Sequence, residues 1–159
     1  MSHGYFACPA AQEVWCACSP ILILLGIAPP LAFSPATLLP ASGVPAAFRP
    51  RFALWRSCVL RVLYVCRHDA GIRGREAGAP PVFAFTASTD PLSSAASILA
   101  ELLTAAWLRV LRLPDTTRPA AVAAFGKRWA SGGSFVQLTD TRIDFTAVSD
   151  ELMFPPSIH

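Results

Sequence analysis

Asparagine is missing from this chain, and lysine occurs once, at Lys127, beside twelve arginines. Charge of either sign is scarce. Charged residues make up 14% of the 159 positions, where an ordinary soluble domain carries roughly 25%. The net charge is small, +3 at neutral pH. A disordered polar tail needs low hydropathy and high net charge, so that class is excluded. A dedicated nucleic-acid binder needs a strongly basic balance, so nucleic acid is not an expected partner. Collagen-like and coiled-coil compositions are absent as well. No P-loop, dinucleotide fingerprint or G-x-S-x-G elbow occurs, and no lysine follows Ser131-Gly132-Gly133-Ser134.

What is abundant is apolar. The hydrophobic fraction is 53%, with 27 alanines and 15 prolines. Arginine without lysine, abundant alanine and no asparagine are what GC-rich codons supply, whether or not selection has acted on the product. Two function classes therefore stand side by side. One is a small non-enzymatic accessory or interaction protein, acting at a membrane surface or on a protein partner. The other is an incidental, recently arisen GC-rich reading frame with no evolved biochemical function.

The N-terminal third is uncharged from Val14 to Phe48. Its aliphatic run, Ile21 to Ala28, ends at Pro29-Pro30. A membrane-spanning helix needs about 20 consecutive apolar residues, and interior prolines interrupt it, so a clean span over 20–33 is not expected. Residues 1–18 hold no Lys or Arg, which removes the positive start of a signal peptide, so secretion is not expected either. The expected location is membrane-associated or cytoplasmic. Prolines then recur every five residues at Pro30, Pro35, Pro40, Pro45 and Pro50. Each disfavours helix, so residues 1–50 read as an irregular, apolar, Pro-rich segment, poorly ordered or membrane-associated.

Residues 51–148 read as a small α+β, helix-rich region. Phe52, Trp55, Val59, Val62 and Cys66 share a helical face, while the β-branched run Cys58 to Cys66 leaves a strand open at its end. Ala70 to Pro81 reads as a loop and Val82 to Thr86 as a short strand. A long apolar helix near 91–113 has Asp90 as its cap and Pro91 at its first position. Its stripe is Leu92, Ala96, Leu99, Leu103, Ala106, Val110 and Leu113, widened by Ile98, Leu102, Ala105 and Leu108. A second short helix, Pro119 to Trp129, precedes a C-terminal β-hairpin with strands at 135–138 and 142–148. Residues 149–159 read as a flexible tail. So apolar a composition also leaves room for loose packing.

Candidate contacts follow from this layout. Arg49, Arg51, Arg56, Arg61 and Arg67, interleaved with Phe48, Phe52, Trp55 and Tyr64, have the chemistry of an anionic-surface contact. Leu92, Leu99, Leu103 and Val110 form a candidate partner or membrane face. Cys8, Cys16 and Cys18 are spaced C-x7-C-x-C, and Cys58, Cys66 and His68 C-x7-C-x-H, without the close pairs that zinc sites use. On a strand Cys66 and His68 would face one way, but no orienting group accompanies them. Asp140 and Asp144 flank the second hairpin strand without a recognisable acid–base arrangement. No enzyme activity, cofactor, metal or small-molecule substrate is expected.

One short resemblance is present. Residues Gly133 to Thr146, with Leu138-Thr139-Asp140 at the turn, Arg142-Ile143 after it and Phe145-Thr146 at the end, resemble the hairpin of GRAM and bacterial pleckstrin-homology-like domains. Such domains have more strands than this chain offers and place their helix after the sheet, whereas here the long helix comes first.

Overall fold

Helix begins far earlier than the sequence predicts. In the computed structural model, which describes residues 5–6, 8–30, 32–41, 43–76 (side chains through Asp69), 90–139 and 141–146, the first element is α1, Pro9–Leu24. Pro9 occupies the first helical position, where a missing N–H costs nothing. Pro20 is the interior exception, since it cannot donate to the carbonyl of Cys16. The Ser19 hydroxyl donates to that carbonyl instead, at 2.8 Å. Ala11, Val14, Trp15, Cys18, Ile21 and Leu22 follow helical spacing and are buried. The expectation of an irregular N-terminal segment is therefore corrected over Pro9–Leu24. One proline with a repaired carbonyl is tolerated when the whole inward face is apolar.

The five-residue proline series falls largely at helix starts. Pro35 opens the single turn α2, Pro35–Leu38, under a capping box formed by Ser34 and Thr37. Pro45 precedes a 3₁₀ turn, Ala46–Phe48, and Pro50 lies in the first turn of α3, Arg49–Glu76. Thus α3 is one continuous helix, which settles the helix–strand ambiguity at Cys58 to Cys66. It also runs through Gly71 and Gly74, where a loop is expected. The remainder of that loop, the strand at 82–86 and the tail at 149–159 lie outside the described residues.

The long helix α4, Pro91–Leu111, starts as its sequence predicts. Asp90 accepts from the backbone N–H of Leu92 at 3.0 Å and of Ser93 at 3.2 Å. Its buried positions are Leu92, Ala95, Leu99, Leu103 and Trp107. The stripe is thus rotated relative to the sequence reading: Trp107 enters the core, while Leu102 and Leu108 are left exposed. Among the described residues, buried Trp107 has no hydrogen-bond partner for its Nε1, and such an orphan costs about 1–3 kcal/mol. Then come α5, Arg118–Trp129, and an antiparallel hairpin of β1, Val136–Leu138, and β2, Ile143–Phe145. Its register pairs Val136 with Phe145 and Leu138 with Ile143.

Helices α1, α3 and α4 pack on one another, α5 packs on α3 and α4, and β2 lies against α4. The core centres on Trp15, which stacks with Phe6 (6.0 Å) and Phe33 (6.3 Å) and tilts against Trp55 (5.5 Å). Both indoles are satisfied: Trp15 Nε1 donates to the carbonyl of Tyr5 at 2.8 Å and Trp55 Nε1 to that of Cys18 at 3.0 Å. The protein is α+β and helix-rich, with a long apolar helix and a C-terminal hairpin.

Candidate functional site

The arginines divide into two groups once the helices are in place. Arg51 is 1% exposed. Its guanidinium donates to the carbonyls of Leu25 (2.9 Å), Lys127 (3.3 Å), Ser131 (2.5 Å) and Arg128, and lies over the Phe48 ring at 4.9 Å. Those carbonyls close the C-termini of α1 and α5, where the helix dipole is negative. Burial lowers the Arg51 pKa from its usual value. The expected surface contact at Arg51 is therefore corrected: the side chain ties two helix ends together inside the protein. Arg56 donates to the carbonyls of Leu38 (2.6 Å) and Leu39 (2.8 Å) at the end of α2, and Arg49 Nε donates to Val44 at 3.4 Å. Arg61 and Arg67 are exposed, Arg67 over the Tyr5 ring at 5.4 Å.

Ser131-Gly132-Gly133, read from sequence as a chain break, completes this junction. The backbone N–H groups of Ser134 and Phe135 donate to the Leu24 carbonyl at 2.7 and 2.9 Å. A Cβ at Gly133 would stand 2.6 Å from that carbonyl oxygen. Gly26, at φ +78°, faces Gly132 so closely that a Cβ would fall 1.8 Å from its oxygen. Only glycine allows the backbones to meet here.

The expected face of α4 is also occupied from within. Leu92, Leu99 and Leu103 are buried in the chain's own core and Val110 is half-buried. As a free partner or membrane face, Leu92, Leu99 and Leu103 are corrected. The accessible surface of α4 lies on its other side. There α3 and α4 enclose an open groove of about 510 Å³. Val62 and Val65 of α3 and Ile98 of α4 supply its apolar strip, and Ser94 and Ser97 its hydroxyls. Arg61 lines the groove from α3 and Glu101 from α4. Both charges are exposed, and no ion pair joins them. Val65 is 45% exposed, and Leu102, one turn beyond Ile98, is 42% exposed. A second, apolar hollow of about 360 Å³ lies among Tyr5, Phe6, Leu60 and Tyr64.

The titratable candidates do not converge. Cys18 and Cys58 are buried thiols, pushed up by burial to about 12 and about 11 respectively. Cys18 Sγ donates to the Pro91 carbonyl at 3.4 Å. Cys8, Cys16 and Cys66 are at least partly accessible, and among the described residues no three His, Cys, Asp or Glu side chains gather as a metal site. Because α3 is helical, Cys66 and His68 point in different directions rather than along one strand face. His68 lies 3.8 Å from Asp69, with both side chains exposed. Asp144 pairs with Arg142 at 2.7 Å on the hairpin surface, and Asp140 lies outside the described residues.

Sequence reasoning missed the groove because its residues come from two helices with no local motif. Arg61 and Glu101 each look like an isolated surface charge. The one available signal was the polar flank of α4, Ser94, Ser97 and Glu101, facing away from the leucine stripe. No protein-family model, curated protein or solved structure matches the chain.

Proposed function

We propose that the protein is a non-enzymatic interaction protein that engages a protein partner through the groove between α3 and α4. The observation that carries this reading is an apolar strip, Val62, Val65 and Ile98, set between charges of opposite sign on the two helices. An amphipathic segment laid in such a groove buries its apolar face and finds charge partners on either side. Contact with an anionic membrane surface is less well supported. Of the five arginines expected to make that contact, Arg49, Arg51 and Arg56 donate to backbone carbonyls, and Arg61 and Arg67 remain exposed.

Membrane insertion has one observation in its favour. Helix α4 is long and apolar enough to cross a membrane by length and composition. Insertion would have to withdraw Leu92, Leu99, Leu103 and Trp107 from the core they now fill.

A photo-reactive benzophenone amino acid at Val65 tests the proposal in cells that express the protein. The expected result is one discrete protein adduct, lost when Ile98→Asp is added, and no flotation of the purified protein with anionic liposomes. Absence of any Val65 adduct, or flotation that survives Ile98→Asp, would contradict it.

A further inference from the structure

We infer that the α3–α4 groove is regulated from within the chain: the acidic and apolar segment 150–154 docks in it and competes with the protein partner. This inference rests on the reading of the groove as a docking face and adds its regulation. The occupant follows from where the hairpin ends. Thr146, whose backbone N–H donates to the Phe135 carbonyl at 3.0 Å, lines a hollow together with Ser93 and Ser97 of α4. Those two serines also line the α3–α4 groove, so the last described residue stands at a wall the two hollows share. Packed helices lie about 8–10 Å apart, and residues 147–150 reach at most about 14 Å, enough to cross to α3. The chemistry of the segment fits as well. Asp150-Glu151 is acidic and Leu152-Met153-Phe154 is apolar. The groove offers an apolar strip and exposed Arg61, which has no ion pair among the described residues. Glu101 repels both carboxylates from the α4 wall and so directs them to Arg61 on α3. The stretch 77–89, between the same two helices, has no charged residue to answer Arg61. Tethering makes docking intramolecular, at an effective concentration on the order of millimolar for a short linker, so a weak contact is enough.

The benzophenone probe at Val65, irradiated in the purified full chain and mapped by mass spectrometry, tests the inference without any partner present. The expected product keeps the 17.0 kDa mass of one chain and joins position 65 to residues 150–154. Arg61→Glu sets like charges together and should lower its yield by about tenfold. Adding Asp150→Lys and Glu151→Lys to that variant restores the yield with polarity reversed. A folding defect from Arg61→Glu would persist in the triple variant, so restoration separates docking from misfolding. In cells, Phe154→Asp should raise the adduct with a foreign protein about threefold or more, as the fraction of open groove rises. No cross-link, one to 77–89 or to a second copy, or one indifferent to Arg61→Glu would overturn the inference. A triple variant that stays low, or a foreign adduct unmoved by Phe154→Asp, would overturn it too. A foreign adduct in cells without the intrachain cross-link sinks the inference and leaves the docking reading standing. The intrachain cross-link without a foreign adduct, even in Phe154→Asp, keeps the segment in the groove and sinks the partner reading.

Discussion

Arg51 carries a positive charge into an apolar interior, and its direct partners are backbone carbonyls, the Ser131 hydroxyl and the face of the Phe48 ring. The dipoles of α1 and α5 place partial negative charge where the guanidinium sits, and its fork satisfies several orphan acceptors at once. Nothing in the local sequence separates Arg51 from Arg49, Arg56 or Arg61. Its role depends on Leu25 and Ser131, far away along the chain, so it was not legible before the fold. Cys18 shows burial acting on a titratable group. Desolvation leads, followed by the charges of Asp90, Cys58 and Cys66, and the thiol is pushed up from 9.0 to about 12. The unfolded chain therefore releases this proton first, and stability present below pH 9.0 is lost as pH rises toward about 12. Equilibrium urea unfolding in that window should show stability falling with pH in the native sequence, and falling less steeply in Cys18→Ala. Equal slopes in the two proteins would remove Cys18 as the cause.

At the scale of elements, helix α4 was readable because its start is local. Asp90, Pro91 and an apolar period lie within a few residues of one another, and the structure realises that cap. Even so, the inward direction was misjudged by part of a turn. A helix apolar on most sides does not specify which side packs, and Trp107 decides it only by meeting Phe125 at 5.1 Å. The hairpin was legible from alternation, with Phe145 set against Phe135 at 5.5 Å. Helix α1 was not, because its prolines argue locally for irregular chain while its stability comes from packing on α3 and α4. The Gly26–Gly132 approach that closes α1 gives a direct comparison. Gly26 and Gly43 share φ +78°, but a Cβ at Gly43 meets nothing within 4 Å. Gly43→Ala should cost about 1–2 kcal/mol, the strain of a left-handed backbone alone. Gly26→Ala should cost clearly more, since backbone must also move away from Gly132. Urea midpoints of the two variants check this, and equal losses would mean that the α1 junction is looser than described.

For the molecule as a whole, the packing implies a single cooperative core. Three helices close around Trp15 and Trp55, and Arg51 locks the ends of α1 and α5 to α3. The opposing expectation from composition, an incidental GC-rich frame, implies many near-degenerate compact states and no shared transition. Thermal unfolding followed at once by far-ultraviolet and near-ultraviolet circular dichroism separates the two, because the tryptophans report packing while the helices report backbone. In Arg51→Met the helix-end carbonyls lose their donor, a loss of about 3 kcal/mol. At roughly 2–4 °C per kcal/mol for a chain of this size, the midpoint should fall by about 6–12 °C. A single core should give one sigmoidal transition, coincident by both probes, displaced to lower temperature in Arg51→Met. A gradual melt, probes that disagree, or a midpoint indifferent to Arg51→Met would contradict it.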